Sequence, residues 1–191
     1  MVIEFTTTRR ASGDYTPTPH TWDLSAQLSV EDFLAKHPDT FVKVGEVISA
    51  PKLACGYRID VVKEWKNVTH MLYLMVIDGK IVKGGKVKGK LAQRSYAAGT
   101  EKTWTKKGGE CSPTNYVYSQ IFRSCVAKGI SVEFYGMESP TTTVTFDFLG
   151  VTKVQKVSPY EEMETLLNES LRKQLGRKPI GDGDLMEQDK K

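Results

Sequence analysis

One stretch constrains this chain more than any other: Met71-Leu-Tyr-Leu-Met-Val-Ile77 is followed at once by Asp78-Gly79 and a second β-rich run. Residues 70–77 alternate and are rich in large apolar side chains. Asp78-Gly79 marks a hairpin turn, and residues 81–88 form the returning strand. The length of the turn decides which side chains share a face, because the side-chain period of a strand is two. A two-residue loop puts Lys83 across from Leu74, facing away from Tyr73. A three-residue loop over 78–80 instead pairs Met75 with Lys83 and puts Tyr73 and Lys83 on one face.

Other elements are read around this hairpin. Residues 1–22, rich in Thr, Ser, Gly and Pro with no apolar period, are expected as a loop or arm ordered on a partner. Ser29 followed by Asp32 signals a short helix over 30–37 that ends at His37-Pro38. Residues 41–49 and 57–62 are β-rich runs around a Pro51 loop. Residues 90–98 read as a short helix ended by Gly99, and 100–111 as a polar loop. Ser112-Pro113 caps a helix running to about Lys128, with Val117, Ile121 and Cys125 on its apolar side. Residues 130–136 and 142–149 are expected strands. Ser158-Pro159 opens a second helix through about Leu175, closed by Gly176 with Pro179 beyond. The expected fold is α+β: a small antiparallel sheet of about three central strands flanked by helices, with an N-terminal α/β extension. Residues 1–69 form the arm and extension, 70–181 the core and 182–191 a polar tail.

The composition fits one globular domain with appendages: 191 residues, 39% hydrophobic and 26% charged. No apolar run approaches the ~18 residues of a membrane span, and no apolar stretch follows Arg9-Arg10 as in a secretory signal. Three scattered cysteines, Cys55, Cys111 and Cys125, support neither a disulfide framework nor a zinc site. His20, His37 and His70 have no ligand spacing. A cytoplasmic location is the expectation. The net charge of +4 is concentrated: residues 80–107 hold nine basic side chains against Glu101 alone. Such a run is either a solvated face or a polyanion footprint.

Two residues stand out chemically. At ~100° per residue, Tyr160, Leu167, Leu171 and Leu175 lie within about 60° of Glu164 around its helix. A carboxylate in an apolar stripe must be neutral, paired with a cation or bound to a metal. Tyr73 lies mid-strand, where core packing competes with a site role.

These residues carry a resemblance. Residues 71–86, then Lys90-Leu-Ala-Gln-Arg94, then Glu164 with Gly176-Arg-Lys-Pro-Ile-Gly181, resemble the GIY-YIG nuclease core over roughly residues 70–181. Lys83 stands in place of the second Tyr, as in a branch of small type II restriction endonucleases. The Gly-Gly-Glu-Cys-Ser-Pro-Thr-Asn-Tyr segment over 108–116 is similar to a stretch of that branch. Three positions depart from it: Gly84 replaces a large apolar residue, Lys86 stands where the branch can carry a His, and Gly181-Asp182 replaces an Asn that often follows the last Pro.

The resemblance implies a nuclease site. Tyr73 is the general base on water, with Lys83 and Lys86 beside it, Lys86 in the place of a residue that assists the nucleophile. Arg94 and Lys83 hold the non-bridging phosphate oxygens. Glu164 ligates one Mg²⁺ per site, for which Mn²⁺ can substitute. The surrounding cations Lys88, Lys90, Lys102, Lys106 and Lys107 contact the backbone of double-stranded DNA. Base readout falls to Thr114, Asn115, Tyr116 or Gln120, to residues 141–145, or to the arm with Arg9 and Arg10. A palindromic site cut on both strands implies a homodimer. Two alternatives stand beside this reading: a phage, mobile-element or repair nuclease of looser specificity, and a non-catalytic nucleic-acid-binding module.

Overall fold

A computed structural model describes residues 1–11, 14–53, 55–93 and 113–182. Nine strands and three helices occur in the described chain. They are β1 (Val2–Ala11), β2 (Asp14–Asp23), α1 (Val30–Lys36), β3 (Val42–Ser49), β4 (Tyr57–Val61), β5 (Met71–Ile77), β6 (Lys80–Val87), α2 (Pro113–Ala127), β7 (Val132–Glu138), β8 (Thr142–Phe148), β9 (Val151–Val157) and α3 (Tyr160–Leu175). Five strands form an antiparallel sheet in the order β4-β3-β7-β5-β6.

Position in that sheet explains the apolar run. All seven residues of β5 are buried, because the strand lies between β7 and β6 with both faces covered. On one face, Tyr73 and Met75 join Val44, Tyr57, Phe134 and the α2 residues Tyr118, Ile121 and Phe122. On the other, Leu72, Leu74 and Val76 meet Phe33 of α1 and Leu167 and Leu171 of α3. A strand covered on both faces reads as a continuous hydrophobic run rather than a strict alternation.

The expected antiparallel sheet with flanking helices is present, with five strands rather than about three. Strands β3 and β4, from the stretch expected as an N-terminal extension, add to β7 and so share the sheet of the core. Residues 1–22 are not a loop: β1 and β2 pair as a hairpin, with Ile3 opposite Trp22 and Phe5 opposite His20. Pro17 and Pro19 conceal it in the sequence. Each strand of a two-stranded ribbon has a free edge, where a missing N–H is tolerated. Ile3, Phe5, Trp22 and Leu24 are buried, and the Ser124 hydroxyl of α2 donates to the Glu4 carbonyl at 2.6 Å. Strand β9 was not expected. It pairs with β8 as a hairpin exposed along its whole length. Of the expected helix over 90–98, residues Leu91–Gln93 form a 3-10 turn, and 94–98 lie outside the described residues.

The decisive hairpin satisfies neither simple loop. Its turn has two residues, Asp78 and Gly79, both with positive φ (48° and 72°), and Ile77 faces Lys80. A bulge then leaves Val82 without a partner, so that Val76 faces Ile81 while Met75 faces Lys83. The register expected from a three-residue loop therefore arises from a two-residue turn and one extra residue in β6.

Candidate active site on the edge strand

Strand β6 ends the sheet, and its lysines alternate between two faces. On the first, the bulged register sets Gly85 across from Tyr73, with Lys83 one pair along. The Tyr73 ring lies over Gly85 so closely that a Cβ there would sit 2.6 Å from the phenol oxygen. Tyr73 is fully buried and packs against Phe134 at 5.9 Å between ring centroids. Lys83 Nζ lies 5.4 Å from the centre of the Tyr118 ring and donates to Asp182 Oδ1 at 3.2 Å. Both side chains of that pair are largely enclosed, 19% and 14% exposed. Burial raises the Asp182 carboxyl above its ordinary range, while the neighbouring Lys83 charge works in the opposite direction.

Asp182 reaches this position because the chain beyond α3 is latched to β6. Gly176 closes the helix with a left-handed backbone. Beyond it, the Gly181 N–H donates to the Val82 carbonyl at 2.8 Å, and the Tyr118 hydroxyl donates to the Gly181 carbonyl at 2.6 Å. The Ile180 N–H donates to Gln27 Oε1 at 3.3 Å. A side chain at position 181 would collide with the Tyr118 hydroxyl and the Val82 carbonyl, so the latch requires glycine.

The second face carries the other pair. Lys86, opposite Leu72, lies 3.1 Å from Glu164 Oε2 and 3.4 Å from Glu161 Oε1, with its Nζ 5.6 Å from the centre of the Tyr160 ring. The Glu164 carboxylate beside it holds the Lys86 ammonium above the usual lysine range. Glu164 does not sit enclosed in the apolar stripe as expected. Its side chain is 26% exposed, and the buried residues of α3 are Leu167 and Leu171. Gly84, which has no side chain, lets α3 close on β6 at Leu167, Asn168 and Leu171. One turn earlier the helix meets Lys86 instead, so Glu164 lies at the rim with a cation partner. Nor does Ser158 cap α3: Pro159 takes the cap position, and the Ser158 hydroxyl donates to Ser139 Oγ at 2.8 Å.

Tyr73 and Lys83 thus share one face of the edge strand, and Lys86 and Glu164 share the other. The two sides are not electrically separate, because Glu164 raises and Arg172 lowers the same Asp182 carboxyl. Arg94, Trp104, Lys102, Lys106 and Lys107 lie outside the described residues, as do the side chains of Arg9, Arg10, Thr114 and Tyr116. Asn115 and Gln120 are half-buried on α2. Lys88 is exposed, and Lys90 donates to Asn67 Oδ1 at 2.7 Å. Cys125 is a core thiol that burial pushes up to about 12, which disfavours it as a nucleophile. Among the described residues no group of three His, Cys, Asp or Glu could hold a metal, and no helix is long and apolar enough to cross a membrane. Sequence reasoning gave Asp182 and Tyr118 no role. The glycine-rich break after Pro179 was visible, but its contact with a strand 99 residues earlier was not.

No family model and no curated protein matches the chain. Solved structures do. It is 26% identical to restriction endonuclease HPY188I, solved in complex with product DNA, over 85% of this chain and 90% of that one, with a TM-score of 0.52. It is 17% identical to a mutant of bacteriophage T4 EndoII over 74% of this chain and 94% of that one, with a TM-score of 0.53. The chain has a nuclease fold, shared with a restriction endonuclease across most of both chains.

Proposed function

We propose that this chain is an endonuclease that hydrolyses double-stranded DNA in the presence of Mg²⁺, of the GIY-YIG type with Lys83 in place of the second Tyr. The observation that carries this reading is the likeness to a restriction endonuclease over nearly the whole chain. The bulged hairpin supports it by bringing Lys83 to the Tyr73 face.

The roles in this reading join the family resemblance to the two faces of β6. Lys83 holds a non-bridging oxygen of the scissile phosphate from the Tyr73 side, a task that Arg94, outside the described residues, shares by resemblance. In its phenolate form Tyr73 takes a proton from the attacking water and becomes the neutral phenol. Because Tyr73 is fully enclosed, this role requires the site to open to water when DNA binds. Lys86, beside Glu164 on the second face, holds the place of the residue that assists the nucleophile in the branch it resembles. The donor set beside it suits a hard divalent cation. Glu161 and Glu164 surround one ammonium, which leaves one negative charge in excess, and Glu164 is partly exposed. Glu164 would hold Mg²⁺ or Mn²⁺ through one carboxylate, since Mg²⁺ keeps several of its waters. When bound, that ion stabilises negative charge on the departing 3′-oxygen. Lys88 and Lys90, with Lys102, Lys106 and Lys107, contact phosphates, and Thr114, Asn115, Tyr116 and Gln120 read bases.

A site-specific restriction enzyme is the finer reading, and cutting both strands of a palindrome calls for a homodimer. Digestion of plasmid and random-sequence duplexes with Mg²⁺ tests it. A short fixed palindrome supports restriction, whereas dispersed nicks point to a nuclease of looser specificity. Metal-independent binding with no cleavage of any duplex would overturn the enzyme in favour of a binding module.

A further inference from the structure

The Lys83–Asp182 pair is built differently from an incidental surface contact. Both groups are largely enclosed at 3.2 Å. The segment that carries Asp182 is tied to β6 through Gly181 and Val82, to α2 through Tyr118, and to Gln27 through Ile180. Three separate parts of the chain therefore converge to present one carboxylate to one ammonium. An ammonium has three donors, and Asp182 engages one of them. Desolvating a carboxylate costs free energy, and the Glu164 charge on the other face of β6 adds slightly to that cost. As a stability element the arrangement is poor. As a way of fixing an ammonium while tempering its charge, it is well suited.

We propose that Asp182 is a positioning residue for Lys83, holding the ammonium in one orientation and weakening its grip on a resting phosphodiester. This rests on the nuclease reading above, in which Lys83 contacts the scissile phosphate. The physical reason is that binding the ground state and the transition state equally strongly does not speed the chemical step. With Asp182 ionised beside it, Lys83 attracts a singly charged phosphodiester only modestly. Its orientation is fixed in advance for the extra negative charge that develops on the phosphate oxygens. Removing the Asp182 charge frees the ammonium to bind anions more tightly in more orientations. Anion binding and cleavage should therefore move in opposite directions, which a merely structural role does not produce.

The test uses the full chain and Asp182→Asn, which keeps the shape and an acceptor oxygen. Two quantities are measured: affinity for inorganic phosphate, counting the binding that Lys83→Met abolishes, and the single-turnover rate on duplex DNA with Mg²⁺. The expectation is phosphate affinity about fivefold higher, from removing one nearby charge. The rate is expected to fall by about 10- to 100-fold from lost alignment, with the melting temperature unchanged or slightly raised. Phosphate affinity that is unchanged or lower in the variant, or absent at Lys83 in the wild type, overturns the proposal. So does a cleavage rate within twofold of wild type. If Asp182→Asn fails to fold, Tyr118→Phe, which removes the latch hydroxyl but keeps the ring against Lys83, is read by the same two measurements. If the wild type cuts no duplex, the nuclease reading fails and the phosphate arm alone decides the role of Asp182.

Discussion

Strand β6 offers the same chemical pair twice. Lys83 meets Asp182 at 3.2 Å on one face, and Lys86 meets Glu164 at 3.1 Å on the other. Distance does not distinguish them; solvent does. The Lys83–Asp182 side chains are 19% and 14% exposed, and those of Lys86–Glu164 are 34% and 26%. Removing Lys83 leaves a largely enclosed, poorly solvated carboxylate, whereas a rim pair is solvated as it opens. The first pair is fixed geometry. The second is open to exchange, as the metal role proposed for Glu164 requires.

The comparison can be broken in several ways. The largest expected effect is on activity: Glu164→Ala should lower Mg²⁺-dependent cleavage by about 10³-fold, while shifting the unfolding free energy by less than about 1 kcal/mol. Undiminished cutting by this variant in a gel assay would remove Glu164 from the site. Next comes Lys83→Met, which strands Asp182 and should destabilise the fold by about 3 kcal/mol in urea denaturation. A cost no larger than that of Lys86→Met would erase the distinction between the faces.

Gly85→Ala drives a methyl into the buried Tyr73 ring at 2.6 Å and should cost about 1–3 kcal/mol. Gly84→Ala, on the opposite face, meets the ends of the Asn168 and Leu171 side chains and should cost less in thermal melts. A smaller effect is the pH dependence carried by Asp182. Its carboxyl is raised in the fold, so ionising it costs stability. That cost is absent below the ordinary aspartate range and grows as pH rises through the raised folded value. Wild type should therefore lose stability relative to Asp182→Asn over that window, and a difference of opposite sign would show that Lys83 outweighs burial. The smallest change is Lys86→Gln, expected within about 1 kcal/mol of wild-type stability.

Much of the core was legible because hydrophobic pattern and punctuation are local signals. Asp78-Gly79, Ser29 before α1, Pro113 at the start of α2 and Gly176 after α3 mark real boundaries. The N-terminal hairpin was illegible because a ribbon with two free edges tolerates prolines that a central strand would not. Its apolar residues are spread thinly among threonines. Strand β9 was missed because Val151, Val154 and Val157 recur every third residue, without the two-residue alternation of a strand. The sequence singles out Glu164 as unusual for its helix. Its helical position alone could not separate an enclosed carboxylate from one at the rim, since that depends on how closely α3 approaches Gly84.

By itself the sequence determined the two strands of the central hairpin, the helices that cover the sheet and the concentration of positive charge over residues 80–107. All of these are set by neighbours in the chain, through backbone periodicity, turn chemistry and composition. Tertiary structure alone decided which lysine meets which carboxylate. One unpaired residue, Val82, turns Lys83 toward Tyr73, and a glycine latch brings Asp182 back across 99 positions. A single-residue slip reverses the face of every side chain beyond it, and contacts at such separation exist only once the sheet has formed.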